Sequence, residues 1–123
     1  MKTILIIEDN PDNMKLMTFI LETNGYKTIA AMTGQEGIDI ALSQKTDLIL
    51  LDIQLPDMDG KRVLEVIRNS GSNGDLPIVA VTSYAMSGDR HTLLEAGCTG
   101  YIEKPINPDT IISEIRQYAG DPI

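Results

Sequence analysis

The chain has 123 residues, 42% of them apolar, and a formal net charge of −8. That length suits one domain around one core, and an acidic balance with no basic block excludes a protein that grips nucleic-acid phosphates. There is no signal peptide and no apolar run long enough to span a bilayer; Cys98 and His91 are each the only residue of their kind, which rules out an internal disulfide and a histidine-rich zinc site.

Ile4-Leu5-Ile6-Ile7 is continuously apolar and predicts a strand over residues 3–7. Asn10-Pro11 follows as a helix start, an N-cap with proline in the first turn. Met14, Met17 and Leu21 then share one helical face, and the helix is expected to end near Asn24-Gly25. Leu16, Phe19 and Ile20 add more apolar surface than one buried face needs, and read either as extra core contact or as a docking surface for a partner. A mixed run over 27–31 reads as an edge strand. Thr33-Gly34-Gln35-Glu36 is a capping box, with Glu36 placed to reach back to the Thr33 amide.

A buried strand is expected over 47–51, running into Asp52. Ser70-Gly71-Ser72-Asn73-Gly74 reads as a loop before a strand over 77–81, which runs into Thr82. His91 lies among polar residues and reads as a solvated helix position. Cys98 follows Ala96-Gly97 and reads as a small packed side chain. A short strand over 100–102 precedes Lys104-Pro105, and Asn107-Pro108-Asp109 predicts the start of a last helix.

Strands alternating with helix-length amphipathic stretches predict an α/β fold, a parallel sheet with helices on both faces. In such a sheet the ligand crevice lies outside the carboxyl ends of the strands. Glu8, Asp9, Asp52, Thr82 and Lys104 should therefore meet in one place. Three acids in one crevice repel each other unless a cation compensates. Oxygen ligands suit Mg²⁺ or Mn²⁺. With such a metal, one carboxylate can attack phosphorus and form an aspartyl phosphate. Lys104 supplies a second positive charge and Thr82 a hydroxyl donor.

These residues resemble the receiver domain of two-component response regulators, of the stand-alone chemotaxis type. Ile6-Ile7-Glu8-Asp9-Asn10 resembles the acidic pair of that family. Leu50-Leu51-Asp52-Ile53-Gln54-Leu55-Pro56-Asp57-Met58-Asp59-Gly60 is similar to its phosphoacceptor segment. Val79-Ala80-Val81-Thr82-Ser83 is similar to its switch-hydroxyl strand, and Ala96 to Pro105 to its final signature. The resemblance covers nearly the whole chain and implies a single receiver domain over 1–123 with no output domain. It implies a flavodoxin-like doubly wound sheet of five strands, order 2-1-3-4-5, with five helices. Asp52 would be the phosphoacceptor, with Lys104 and Thr82 assisting. Glu8, Asp9, Asp52 and the Gln54 backbone carbonyl would ligate Mg²⁺. Thr82 and Tyr101 would form a switch pair that repacks the surface of helix four, strand five and helix five.

The partners implied are a histidine kinase or histidine phosphotransfer protein and a downstream protein target. The receiver itself would be a cytoplasmic monomer or weak dimer and a signalling phosphoacceptor, not a turnover enzyme. A cis Lys104-Pro105 bond is also implied. The residues further suggest that Gln54 and Tyr84 flank the approach of hydrolytic water, with the Tyr84 ring slowing decay of the phosphoryl state. Two other chemistries fit the pattern less well. A flavodoxin-like cofactor binder needs a glycine- and hydroxyl-rich loop after strand one, where this chain has Glu8-Asp9-Asn10-Pro11. An aspartyl-phosphate phosphatase generally has a second acid two residues past the nucleophile, where this chain has Gln54.

Overall fold

The computed structural model describes residues 1–70, 75–83 and 87–122, with residues 87–90 described by backbone alone. Strands and helices alternate in the order β1 (Thr3–Ile7), α1 (Pro11–Thr23), β2 (Lys27–Ala31), α2 (Gly34–Ser43), β3 (Leu48–Asp52) and α3 (Gly60–Arg68). They continue with β4 (Ile78–Thr82), α4 (Ser87–Ala96), β5 (Gly100–Glu103) and α5 (Ile111–Ala119). Among the described residues the strands form one parallel sheet, ordered β2-β1-β3-β4-β5, as the resemblance implies.

The apolar runs of β1, β3 and β4 are buried on both faces, and the pleat sorts their side chains into two cores. Ile4, Ile6, Leu48, Leu50, Val79 and Val81 pack with α1 and α5. Leu5, Ile7, Ile49, Leu51, Ile78 and Ala80 pack with α2, α3 and α4. Each fully buried aliphatic side chain contributes about 1.5–3 kcal/mol relative to an exposed one. On the second face α2 lies close to β1 because Gly37 has no side chain; a Cβ there would collide with Ile7 Cδ1.

Two strands sit one residue later than the sequence predicts. Asp47 is outside β3 because it closes the amino end of the sheet. Its carboxylate accepts from the Thr3 amide at 2.7 Å, and its amide donates to the Thr3 carbonyl at 2.8 Å. At the other end Asp52 pairs with Val81 in the ladder. Asp52 and Thr82 are therefore strand residues with fixed backbones rather than loop residues. The amino end is closed further by the Tyr26 hydroxyl, which donates to the Gly120 carbonyl at 2.6 Å. The Lys2 amide donates to the Pro122 carbonyl at 2.7 Å, and the Lys2 ammonium to that of Ala119.

The helix starts agree in part. Asn10 caps α1, its side chain accepting from the Asp12 and Asn13 amides at 2.9 and 3.1 Å. Thr33 caps α2 through the Glu36 amide at 3.1 Å. A second cap on α2 comes from the β3–α3 loop: Asp57 accepts from the Gly34 and Gln35 amides at 2.7 and 2.9 Å. The last helix does not begin at Asn107-Pro108. Asn107 caps a preceding turn, accepting from the Asp109 amide at 2.9 Å, and α5 starts at Ile111.

One docking residue is corrected. Ile20 is buried in the core between α1 and α5, so it is not available to a partner. Leu16 is half-buried against that core, and Phe19 is 68% exposed. His91 is exposed and pairs with Glu95 one turn on, at 2.9 Å. Cys98 is buried, and burial pushes its thiol pKa up against the nearby Arg68 guanidinium. The Gly71–Gly74 stretch and Tyr84 lie outside the described residues. Among the described residues no helix is long and apolar enough to cross a membrane.

Candidate functional site

The register of the sheet brings the charged strand ends together. Glu8 follows β1, Asp52 ends β3, Thr82 ends β4 and Lys104 follows β5. Glu8 and Asp52 are 0% and 3% exposed, and Thr82 is buried beside them at the end of the next strand. Asp9, one residue on, is exposed. One carboxylate oxygen from each of Glu8, Asp9 and Asp52 lies within 4.8 Å of the others.

Lys104 reaches back over this cluster. Its Nζ lies 3.1 Å from Glu8 Oε1 and 3.2 Å from Asp52 Oδ2. The Lys104-Pro105 bond that shapes the turn is cis, as the resemblance implies. The backbone also ties the lysine to the hydroxyl strand, the Lys104 amide donating to the Thr82 carbonyl at 2.8 Å. Asp52 is held through both oxygens. Oδ1 accepts from the Gln54 amide at 3.0 Å and Oδ2 from the Lys104 ammonium at 3.2 Å. Gln54 itself is exposed and bridges to Asp59 across the β3–α3 loop.

One ammonium serves two buried carboxylates, and the electrostatics show the imbalance. Burial, and next the Asp52 carboxylate, push the Glu8 carboxyl up to about 7 against the pull of Lys104 and the Asn10 amide. Burial pulls the Lys104 pKa down, but Glu8 and Asp52 outweigh it and leave the ammonium more basic than usual. Glu8 Oε1 is buried and receives no directed hydrogen bond, its ion pair with Lys104 notwithstanding. Three convergent carboxylates with surplus negative charge and an unsatisfied buried oxygen fit a hard divalent cation of the Mg²⁺ kind.

The structure thus gathers Glu8, Asp9, Asp52, Thr82 and Lys104, with the Gln54 amide on Asp52. Tyr101 stands apart on β5. It pairs with Ala80, while Thr82 pairs with Glu103, so the two lie two register positions apart on adjacent strands. Tyr101 is half-buried and borders a cavity of about 360 Å³ with Glu103, Glu114 and Tyr118. On α1, Leu16 packs in part against the α1–α5 core and Phe19 is exposed. Sequence reasoning missed Asp57, whose amide partners lie 22 and 23 residues upstream. No local pattern marks so distant a cap.

Known proteins with this arrangement agree. The model of the response regulator receiver domain matches residues 4–116. The polar-differentiation response regulator DivK of Brucella anthropi is 41% identical over 120 residues, 98% of each chain. A CheY-like receiver domain protein from Methanospirillum hungatei is 33% identical, with a TM-score of 0.88 over 95% of this chain and 92% of that one. The receiver domain of a sensor histidine kinase from Pseudomonas aeruginosa PAO1 is 32% identical, with a TM-score of 0.89 over 98% of each chain. It was solved with a magnesium ion coordinated in its active site cleft. The match over 4–116 and the 41% identity over nearly its whole length show that the chain belongs to the response regulator receiver family, two-component signalling proteins that answer to a histidine kinase and are not conventional enzymes.

Proposed function

We propose that Asp52 accepts a phosphoryl group from a phosphohistidine on a histidine kinase or a histidine phosphotransfer protein. The observation that carries this reading is the placement of Asp52. It is buried at the end of a central strand, and each oxygen is held by one donor, Oδ1 by the Gln54 amide and Oδ2 by the Lys104 ammonium. Such a carboxylate is fixed for in-line attack and needs little further ordering. The P–N bond of the donor breaks as the bond from phosphorus to the Asp52 oxygen forms, giving an acyl phosphate and a free imidazole.

Glu8, Asp9, Asp52 and the Gln54 carbonyl would hold Mg²⁺ in this reading, with Mn²⁺ as a substitute. The bound metal supplies the charge that offsets the transferring phosphoryl oxygens. Lys104, already bridging Glu8 and Asp52, turns its ammonium to the new phosphoryl group from the other side. Thr82 donates its hydroxyl to a phosphoryl oxygen, and Tyr101 follows into the space so vacated. The changed α4–β5–α5 surface then meets a downstream protein. Leu16 and Phe19 on α1 contact the phosphodonor. The protein works in the cytoplasm.

The test is phosphorylation by acetyl phosphate with Mg²⁺, read as added mass. One phosphate is expected on the wild type and none on Asp52→Asn. Equal labelling of the two would remove Asp52 from the role.

A further inference from the structure

We propose that Asp57 is a positioning residue for the phosphoacceptor: by clasping the first turn of α2 it fixes the β3–α3 loop and, through Gln54, the carboxylate of Asp52. This rests on the reading of Asp52 and Gln54 given above.

The loop over 53–59 leaves the end of β3 and must return to start α3. It is braced within itself: Gln54 bridges to Asp59, the Gly60 amide donates to the Ile53 carbonyl at 3.0 Å, and Asp59 caps α3 through the Lys61 amide at 3.0 Å. These bonds tie Gln54 to the rest of the loop. What it is fastened to then decides where Gln54 sits, and Gln54 has two duties. Its amide holds Asp52 Oδ1 at 3.0 Å, and its carbonyl is a proposed metal ligand.

The fastening is to α2, and it has a polar and an apolar half from consecutive residues. Asp57 uses both oxygens, one on the Gly34 amide at 2.7 Å and one on the Gln35 amide at 2.9 Å. A carboxylate at a helix N-terminus also gains from the partial positive charge of the exposed amides. The Gln35 amide, and next that of Gly34, hold the exposed Asp57 carboxyl below the usual carboxylate range. Met58 lies directly on Gly34, where a Cβ would come within 2.5 Å of Met58 Cγ and 2.9 Å of Val63 Cγ2. Only glycine lets the loop approach α2 this closely.

A purely structural role would make Asp57 one more helix cap. Yet α2 already has its own, Thr33, on the Glu36 amide at 3.1 Å. The two caps therefore separate the alternatives: the Thr33 hydroxyl accepts from within α2, whereas Asp57 joins α2 to the loop.

The experiment compares wild type, Asp57→Ala, Asp57→Asn and Thr33→Ala. Each is titrated calorimetrically with Mg²⁺ and melted in metal-free buffer. Thr33→Ala is expected to lower the melting temperature and leave Mg²⁺ affinity unchanged. Asp57→Ala is expected to weaken Mg²⁺ binding about ten-fold, the scale of a lost partner behind a metal ligand, and to slow acetyl phosphate labelling. Asp57→Asn, which keeps one acceptor for one amide, should fall between, and it carries the test if Asp57→Ala does not fold. Unchanged Mg²⁺ affinity in the Asp57 variants, or an equal loss in Thr33→Ala, overturns the inference while the metal site stands. A wild type that binds no Mg²⁺ overturns the metal site and the inference together.

Discussion

Asp47 and Asp52 stand at opposite ends of β3, and their surroundings differ in kind. Asp47 receives a backbone amide from Thr3 and returns one to its carbonyl. Around it the amino end of the sheet is closed by further local bonds, from Tyr26 to Gly120 and from Lys2 to Pro122. Asp52 is buried beside a second carboxylate, with one ammonium between them. The two ends of the same strands thus divide the labour. One end commits its polar groups to local bonds, the buried Thr46 Oγ1 excepted, and holds the chain together; the other keeps a surplus of negative charge that an added cation or a chemical change can relieve.

The strongest way to break this division is to discharge the surplus. In metal-free buffer the raised Glu8 carboxyl costs stability wherever it is ionised. Its folded value is about 7 and its ordinary value 4.5, so the stabilising contribution of the protonated form is full below 4.5 and is lost as pH rises through about 7. Urea unfolding from pH 5 to 8 should therefore show falling stability. Glu8→Gln should flatten that fall and be more stable than wild type at pH 8 by roughly 1–3 kcal/mol. Millimolar Mg²⁺ should flatten it for the wild type as well. A wild-type profile that rises over this range would contradict the placement of charge.

A smaller effect is expected at the other end. Tyr26→Phe removes the hydroxyl from the Gly120 carbonyl and leaves the ring in place. It should cost about 1 kcal/mol, or roughly 2–5 °C in melting temperature. Phosphorylation by acetyl phosphate should stay at the wild-type rate. A variant that melts normally but labels slowly would mean that the two ends are not independent.

The smallest change in stability is expected on the outside of α1. Phe19 is 68% exposed, so Phe19→Ser should move stability by no more than about 0.5 kcal/mol. If α1 meets the phosphodonor, transfer from a histidine donor should slow while acetyl phosphate labelling is unchanged. Equal rates with both donors would take Phe19 out of the docking surface.

Much of this was legible from the chain alone because the central strands are buried on both faces and so read as unbroken apolar runs. The charges that end those runs then mark the crevice: Glu8 after Ile7, Asp52 after Leu51, Thr82 after Val81. The pairings across the sequence were not legible. Asp47 looks like the first residue of a strand until its carboxylate is seen on Thr3. Asn107-Pro108 carries a helix-start signal that a tight turn satisfies equally well, and α5 waits for Ile111. Ile20 looked like surplus apolar surface because the width of the α1 stripe depends on α5 packing against the same face. Asp57 had no local signal, since its partners come from a helix that starts more than twenty residues earlier.

The close approach of α2 to β1 has a consequence for how such a sequence can drift. Gly37 leaves room for Ile7, and any side chain at 37 would strike it. Ile7 is the residue before Glu8, so a backbone shift there would carry the acid with it. Position 37 therefore gains bulk at least cost in a lineage that has already shortened residue 7. The reverse order passes through a protein in which the Ile7 side chain must give way beside the acidic pocket. A glycine outside the acidic pocket thus makes one mutational route to the site steeper than another.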